Sequence, residues 1–198
     1  MRKILLAGYY GFGNLGDELL ARTMAKFLTE RGFQINIIKK RSSFWRQIRK
    51  NDCLLFAGGS VFQDVSGRGF SLLYYAFWGF VAKLLGKKLF LAAQGIGPVA
   101  CLFDRYILRV LLRCADFISV RDKRSAELLR KIGCKHFQTG VDLLFALKAK
   151  IYVKSGQKVA VNLRPFGHFR PEQGVRILTG RDVVYVPLQN GVDYGRGM

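Results

Sequence analysis

Lys3-Ile-Leu-Leu-Ala7-Gly8-Tyr-Tyr-Gly11-Phe-Gly13-Asn14-Leu-Gly16-Asp17-Glu18 is the stretch on which the fold turns. Residues 3–7 form a short apolar run of the kind that makes a strand buried on both faces. Residues 8–16 are a glycine-rich turn, and 17–30 read as a helix closed by Gly32, placed where a left-handed cap is favoured. A strand, a glycine turn and a helix in that order open a parallel α/β sheet.

The same alternation continues down the chain. Strands are expected at 34–39, 53–57, 88–92, 117–120 and 136–139. The third runs into Gly58-Gly59-Ser60, the fourth into Gln94-Gly95-Ile96-Gly97-Pro98, the fifth into Arg121-Asp122 and the sixth into Gly140-Val-Asp142. Open α/β sheets bind ligands beyond the carboxyl ends of their strands, and that is where these glycines and charges fall. The fold class is α/β, a Rossmann-like parallel sheet, over residues 1–150.

Residues 148–157 read as a basic linker. A further strand at 158–163 ending at Arg164, a short helix at 171–180 and a strand at 183–186 follow. Two strands and a helix cannot close a core by themselves. Residues 151–198 are therefore expected to be a linker and the truncated start of a second, C-terminal Rossmann-like domain.

Thirty-three Lys and Arg against thirteen Asp and Glu give a formal charge of +20, which attracts anionic partners such as phospholipid, lipid diphosphate or nucleic acid. The basic residues are scattered, and no nucleic-acid-binding signature accompanies them, so sequence-specific nucleic-acid binding is not expected. Arg105, Arg109 and Arg113 recur every fourth residue as one stripe, either a solvated face or a place where anionic lipid docks. Residues 70–85 are the most apolar stretch but fall short of a membrane span, and read as a buried crossover helix or a membrane-surface contact. The four cysteines show no metal-ligand spacing and read as buried, reduced thiols. The N-terminal apolar run meets Asn14, Asp17 and Glu18 before a signal-peptide core could be completed, so a cytoplasmic protein is expected, one that can lie against the inner face of the membrane.

Gly11-Phe-Gly13-Asn-Leu-Gly16 matches the dinucleotide fingerprint and sits between a strand and a helix. Asp17 and Glu18 follow the third glycine, where a pyrophosphate needs unopposed backbone N–H groups, and the second strand ends in Lys39-Lys40-Arg41 without the ribose-binding acid. An NADP-dependent reductase and a basic membrane- or polyanion-binding α/β domain are the alternatives to the reading below.

Taken whole, Gly8-Tyr-Tyr-Gly-Phe-Gly13-Asn14-Leu-Gly16-Asp17-Glu18 resembles the polysaccharide pyruvyl transferase family, the group that includes the cell-wall enzyme CsaB. The resemblance extends through Leu54-Leu-Phe-Ala-Gly58-Gly59-Ser60-Val-Phe-Gln63-Asp64-Val-Ser66-Gly-Arg68, Ala93-Gln94-Gly95-Ile-Gly97-Pro98, Ile118-Ser-Val-Arg121-Asp122-Lys-Arg-Ser125 and Thr139-Gly140-Val-Asp142. These motifs follow in the family's order over about residues 3–165. Ser60 departs from the family's longer glycine run, and the glycine-rich tail after Pro187-Leu-Gln189 does not continue the pattern.

The resemblance implies two facing Rossmann-like domains of the GT-B kind, with no metal or cofactor. The enolpyruvyl unit of phosphoenolpyruvate, the donor substrate, passes to a saccharide, cell-surface or lipid-linked, and closes into a pyruvate ketal. That chemistry asks for cations on the donor's carboxylate and phosphate, an acid to protonate the methylene carbon, and an acceptor to orient the attacking hydroxyl. Asp17 is the candidate for the hydroxyl, or else a charge complementing the helix dipole. Arg68, Arg121 and Arg164 are candidates for the anionic groups. For Arg121 the competing reading is a structural pair with Asp122 or another carboxylate. Gly13, Asn14, Gly16, Gly58, Gly59, Ser60, Asp64, Gln94, Gly95 and Gly97 are expected to line the substrate. The resemblance puts the general acid and acceptor site largely in the second domain, so the chain alone is expected to be inactive. His136 reads as structural, and His168 matches no catalytic position.

Overall fold

The structure, a computed structural model, describes residues 2–38, 44–65 and 70–147, together with the backbone of 159–161 and 183–185. The contacts divide the chain into one unit of Met1–Phe12 with Gly16–Lys148 and a second of Gly13–Leu15 with Ala149–Met198.

The first unit alternates strand and helix as the apolar runs require: β1 (Lys3–Ala7), α1 (Leu15–Thr29), β2 (Gln34–Ile37), α2 (Phe44–Lys50), β3 (Cys53–Ala57), α3 (Phe70–Leu84), β4 (Lys88–Gln94), α4 (Leu102–Cys114), β5 (Phe117–Val120), α5 (Lys123–Lys131) and β6 (Gln138–Thr139), then a 3-10 turn at Leu143–Ala146. The six strands form one parallel sheet in the order β2-β1-β3-β4-β5-β6. This is an α/β, Rossmann-like fold.

The two faces follow from the period of two along each strand. Leu5, Leu54, Phe56, Leu89 and Leu91 point into a large core shared with α2, α3, α4 and α5, among them Phe44, Leu72, Leu108 and Leu129. Ile4, Leu6, Leu55 and Ala57 point the other way, where Ala21 and Met24 of α1 meet them. Right-handed crossovers place the helices so: the chain steps from β1 outward to β2, then reverses to β3 and onward. The reversal lies between β1 and β3, the position at whose carboxyl edge open α/β sheets bind ligands.

Local chemistry sets the ends of the elements. Gly32 takes φ 82° after α1, and the Phe33 N–H returns to the Leu28 carbonyl at 3.2 Å, which closes the helix as expected. The fourth strand runs two residues beyond expectation, to Gln94, because the register shifts between Leu91 and Gln94 while Ala93 adopts φ 50° and donates its N–H to Ser119 Oγ. The sixth strand is correspondingly shorter than expected, and exposed His136 stands outside it.

α3 buries Leu72, Tyr75, Ala76 and Ala82 while Phe70, Phe77 and Leu84 remain exposed, and no helix among the described residues is long and apolar enough to cross a membrane. All four cysteines are free, but the expectation that all are buried holds only for Cys53. Cys101 is exposed because it caps α4 from outside, and Cys114 and Cys134 are half-buried.

In the second unit, β7 (Val159–Val161) and β8 (Val183–Tyr185) pair in parallel. The linker at 148–157, the helix at 171–180, Arg164 and His168 lie outside the described residues, as does Arg68 in the first unit.

Candidate functional site at the carboxyl edge of the sheet

Three glycine-bearing turns meet at this edge. Gly58 and Gly59 take φ of 63° and 73°, the left-handed region that side chains avoid. A Cβ on Gly58 would lie 2.7 Å from Leu20 of α1, so this glycine lets α1 close onto the turn. A Cβ on Gly59 would lie 3.1 Å from Asp17 Oδ1, which places the carboxylate at the first turn of α1 directly against the Gly59 backbone.

The β3 and β4 turns are fastened together. Gly58 N–H donates to the Ala92 carbonyl and Gly95 N–H to the Gly59 carbonyl, each at 2.8 Å. Gln94, wholly buried, donates its Nε2 hydrogen to the Gly58 carbonyl at 2.6 Å. Asp64 holds the next segment: its Oδ2 accepts the N–H groups of Ala100 and Cys101, just before α4. Gly97, at φ 92°, donates its N–H to the Phe62 carbonyl and lies against Leu128, 2.5 Å from where its Cβ would stand.

Arg121, at the end of β5, reaches back across this turn. Its Nη2 donates to Ser60 Oγ at 3.0 Å and its Nη1 to Asp142 Oδ2 at 2.6 Å, while its Nε stands 3.8 Å from Asp122 Oδ2. The hydrogen-bonded carboxylate is Asp142 and not the sequence neighbour Asp122. Asp122 instead caps α5 by accepting the Ser125 N–H, and Asp142 also caps the 3-10 turn through Leu144 N–H. Gly95 makes the arrangement sterically possible, since a Cβ there would stand 2.5 Å from Ser60 Oγ and 3.0 Å from Arg121 Nε.

Asp17 and Arg121 thus bracket the two-residue turn Gly59-Ser60, Asp17 at Gly59 and Arg121 at Ser60. The Arg121 side chain keeps 28% of its surface exposed, enough to meet a ligand while two partners fix its direction. Asp142 and Ser125, which accepts the Ile96 N–H through its Oγ, organise the edge although they were not among the candidates; the Gly140-Val-Asp142 turn was the signal for the first.

The first loop is arranged differently from a dinucleotide cradle. Gly11 N–H donates to the Glu18 carboxylate, so the acid occupies a backbone donor that a pyrophosphate would need. Gly13 takes φ 75°, Asn14 immediately precedes α1, and Gly16 lies in its first turn. Beneath the loop, Tyr10 is buried and its hydroxyl donates to the Ala57 carbonyl at 2.6 Å; burial first, and the Asp17 carboxylate next, push its pKa up.

A cleft of about 1080 Å³ opens from Ser60 and Gly95 and runs between α4 and α5. Arg105 and Arg109 of the sequence stripe line it, as do Lys123, Arg124 and Lys131 of α5.

The chain matches the family described as polysaccharide pyruvyl transferase over residues 14–179. No curated protein matches it.

Proposed function

The chain belongs to the polysaccharide pyruvyl transferase family, and from that premise we propose that it uses phosphoenolpyruvate as donor and forms a pyruvate ketal on a saccharide. In this reading the methylene carbon of phosphoenolpyruvate takes a proton and becomes a methyl group. One sugar hydroxyl adds to the central carbon, and a second displaces phosphate to close the ketal. The two hydroxyl protons account for the new methyl hydrogen and the proton carried off with phosphate.

The observation that carries the reading is the bracket of Asp17 and Arg121 around Gly59-Ser60. A guanidinium already aimed by Asp142 and Ser60 can receive a carboxylate or phosphate with little reorganisation. A carboxylate across the turn can accept the proton of an attacking hydroxyl. Arg68 and Arg164 belong to the proposal as further anion ligands, and the general acid is assigned to a second, facing Rossmann-like domain. The acceptor is a cell-surface or lipid-linked saccharide, met at the cytoplasmic face of a membrane.

The occupied Gly11 N–H weighs against the reductase reading. The test is release of phosphate from phosphoenolpyruvate on adding β-galactosyl or β-mannosaminyl saccharides, run on this chain and on the chain joined to a second Rossmann-like domain. Acceptor-dependent phosphate that is lost in Asp17→Ala and needs on the order of tenfold more phosphoenolpyruvate in Arg121→Lys supports the proposal. No such phosphate from either protein, with saturable NADPH binding instead, overturns it.

A further inference from the structure

We propose that the cleft between α4 and α5 binds the phosphate-diester or diphosphate group by which an acceptor saccharide is carried, with the saccharide directed toward Ser60 and Gly95. The inference rests on the transferase reading for what the anion is attached to; the anion site itself rests on the cleft.

Five cations line the cleft, Arg105, Arg109, Lys123, Arg124 and Lys131, against two acids, Asp122 and Glu127. Among the described residues none of the five is in an ion pair; the five pairs found are Lys26–Glu30, Lys83–Asp116, Lys88–Asp116, Arg121–Asp122 and Arg121–Asp142. Asp122 is committed to capping α5 and stands beside Arg121. Concentrating unpaired positive charge between two helices raises the local potential for anions well above that of cations spread over a surface.

One of these cations is held by a hydrogen bond and a second packs against backbone. Arg105 Nε donates to the Val99 carbonyl at 2.7 Å, and Arg109 lies over Gly133, where a Cβ would stand 3.3 Å from its Nη2. Apolar side chains make up much of the remaining lining, beside Ser60 and Ser125: Pro98 and Val99 from the turn after β4, Leu128 and Ile132 from α5. At the mouth, Leu102 and Tyr106 are 78% and 64% exposed. Cations along an apolar-floored groove with an apolar rim suit a phosphate attached to a larger, partly apolar body better than a small free anion. A volume of about 1080 Å³ accommodates such a body and reaches the bracketed turn.

Arg113 supplies an internal control. It continues the stripe of Arg105 and Arg109 on the exposed side of α4 but is not part of the cleft. Inorganic pyrophosphate titrated calorimetrically into the chain should bind saturably. Arg109→Ala and Lys131→Ala, both at exposed positions, should each weaken it on the order of tenfold. Arg113→Ala should leave it unchanged, and Glu127→Gln should tighten it. Equal loss in Arg113→Ala, or no saturable binding, overturns the site. Vesicles of phosphatidylglycerol in phosphatidylcholine distinguish the sources: displacement of pyrophosphate by them overturns the saccharide assignment in favour of a bilayer headgroup, and its persistence supports the saccharide-borne group. Pyrophosphate binding in a chain that ignores phosphoenolpyruvate would keep the cleft and remove the transferase reading. The reverse pattern would do the opposite.

Discussion

Arg121 donates to Asp142 at 2.6 Å across twenty-one residues of sequence, and the same guanidinium holds Ser60 at the turn after β3. One side chain therefore ties the ends of β3, β5 and β6. Its two partners fix the plane of the guanidinium, and in the proposed function that plane meets the donor. Lys cannot reproduce a fork with two fixed acceptors. Arg121→Lys should therefore weaken phosphoenolpyruvate binding on the order of tenfold, read by calorimetry. Arg121→Ala should in addition lower stability by about 2 kcal/mol in urea titration, since Asp142 loses its charged partner.

Asp116 is the corresponding tie at the other edge of the sheet. Its carboxylate accepts from Lys83 Nζ, Lys88 Nζ and the Leu89 N–H, each at 2.8 Å. Burial alone would raise its pKa; these hydrogen bonds outweigh burial and hold it well below the usual carboxylate range. A folded pKa below the unfolded one contributes stability that is complete above the unfolded value, about 3.9, and is lost as pH falls through the folded one. Asp116→Ala should cost about 2 kcal/mol at neutral pH. Its stability should also decline less than that of the parent chain from about pH 4 downward, measured by urea unfolding at each pH.

Gly58 and Gly86 share nearly the same φ, 63° and 68°, but differ in surroundings. A Cβ at 58 would strike Leu20 at 2.7 Å, whereas one at 86 would meet nothing within 4 Å. Gly86→Ala should cost roughly 1 kcal/mol from the left-handed backbone alone. Gly58→Ala should cost roughly 3 kcal/mol, because α1 must also shift. Equal melting temperatures for the two variants would show that α1 does not close on the β3 turn.

The four thiols should label in a fixed order. Cys101 is exposed, whereas Cys53 is buried and its thiol is pushed up to about 11, by burial first and then by the Asp52 carboxylate. A thiol-specific chromophore at pH 8 should modify Cys101 first and Cys53 only on unfolding. Early modification of Cys53 would contradict the packing of β3 against α1.

Much of this arrangement is legible in the sequence because the strands are short apolar runs that end in glycine or charge. β1, β3 and β5 begin and end where those runs do. α2 was not anticipated: Phe-Trp-Arg-Gln-Ile-Arg-Lys is seven residues, too short to establish a helical period, and only Phe44 and Ile48 reach the core. The bulge at Ala93 was hidden because it depends on Ser119 in the neighbouring strand. At the candidate site, the motifs fall at the carboxyl edge of the sheet, but Asp122 stands next to Arg121 in sequence while Asp142 meets it in space. That choice is decided by Asp122 turning to cap α5, a matter of tertiary geometry. The cleft between α4 and α5 was visible only as the stripe of Arg105 and Arg109; its other wall, Lys123, Arg124 and Lys131, comes from a separate helix.

The most direct test of the central claim is an amide-resolved NMR titration of the chain with phosphoenolpyruvate. The account predicts saturable shifts centred on Gly59, Ser60, Gly95 and Arg121, reduced in Arg121→Lys. Silent amides at those positions, with NADPH instead moving Gly11 and Gly13, would contradict it.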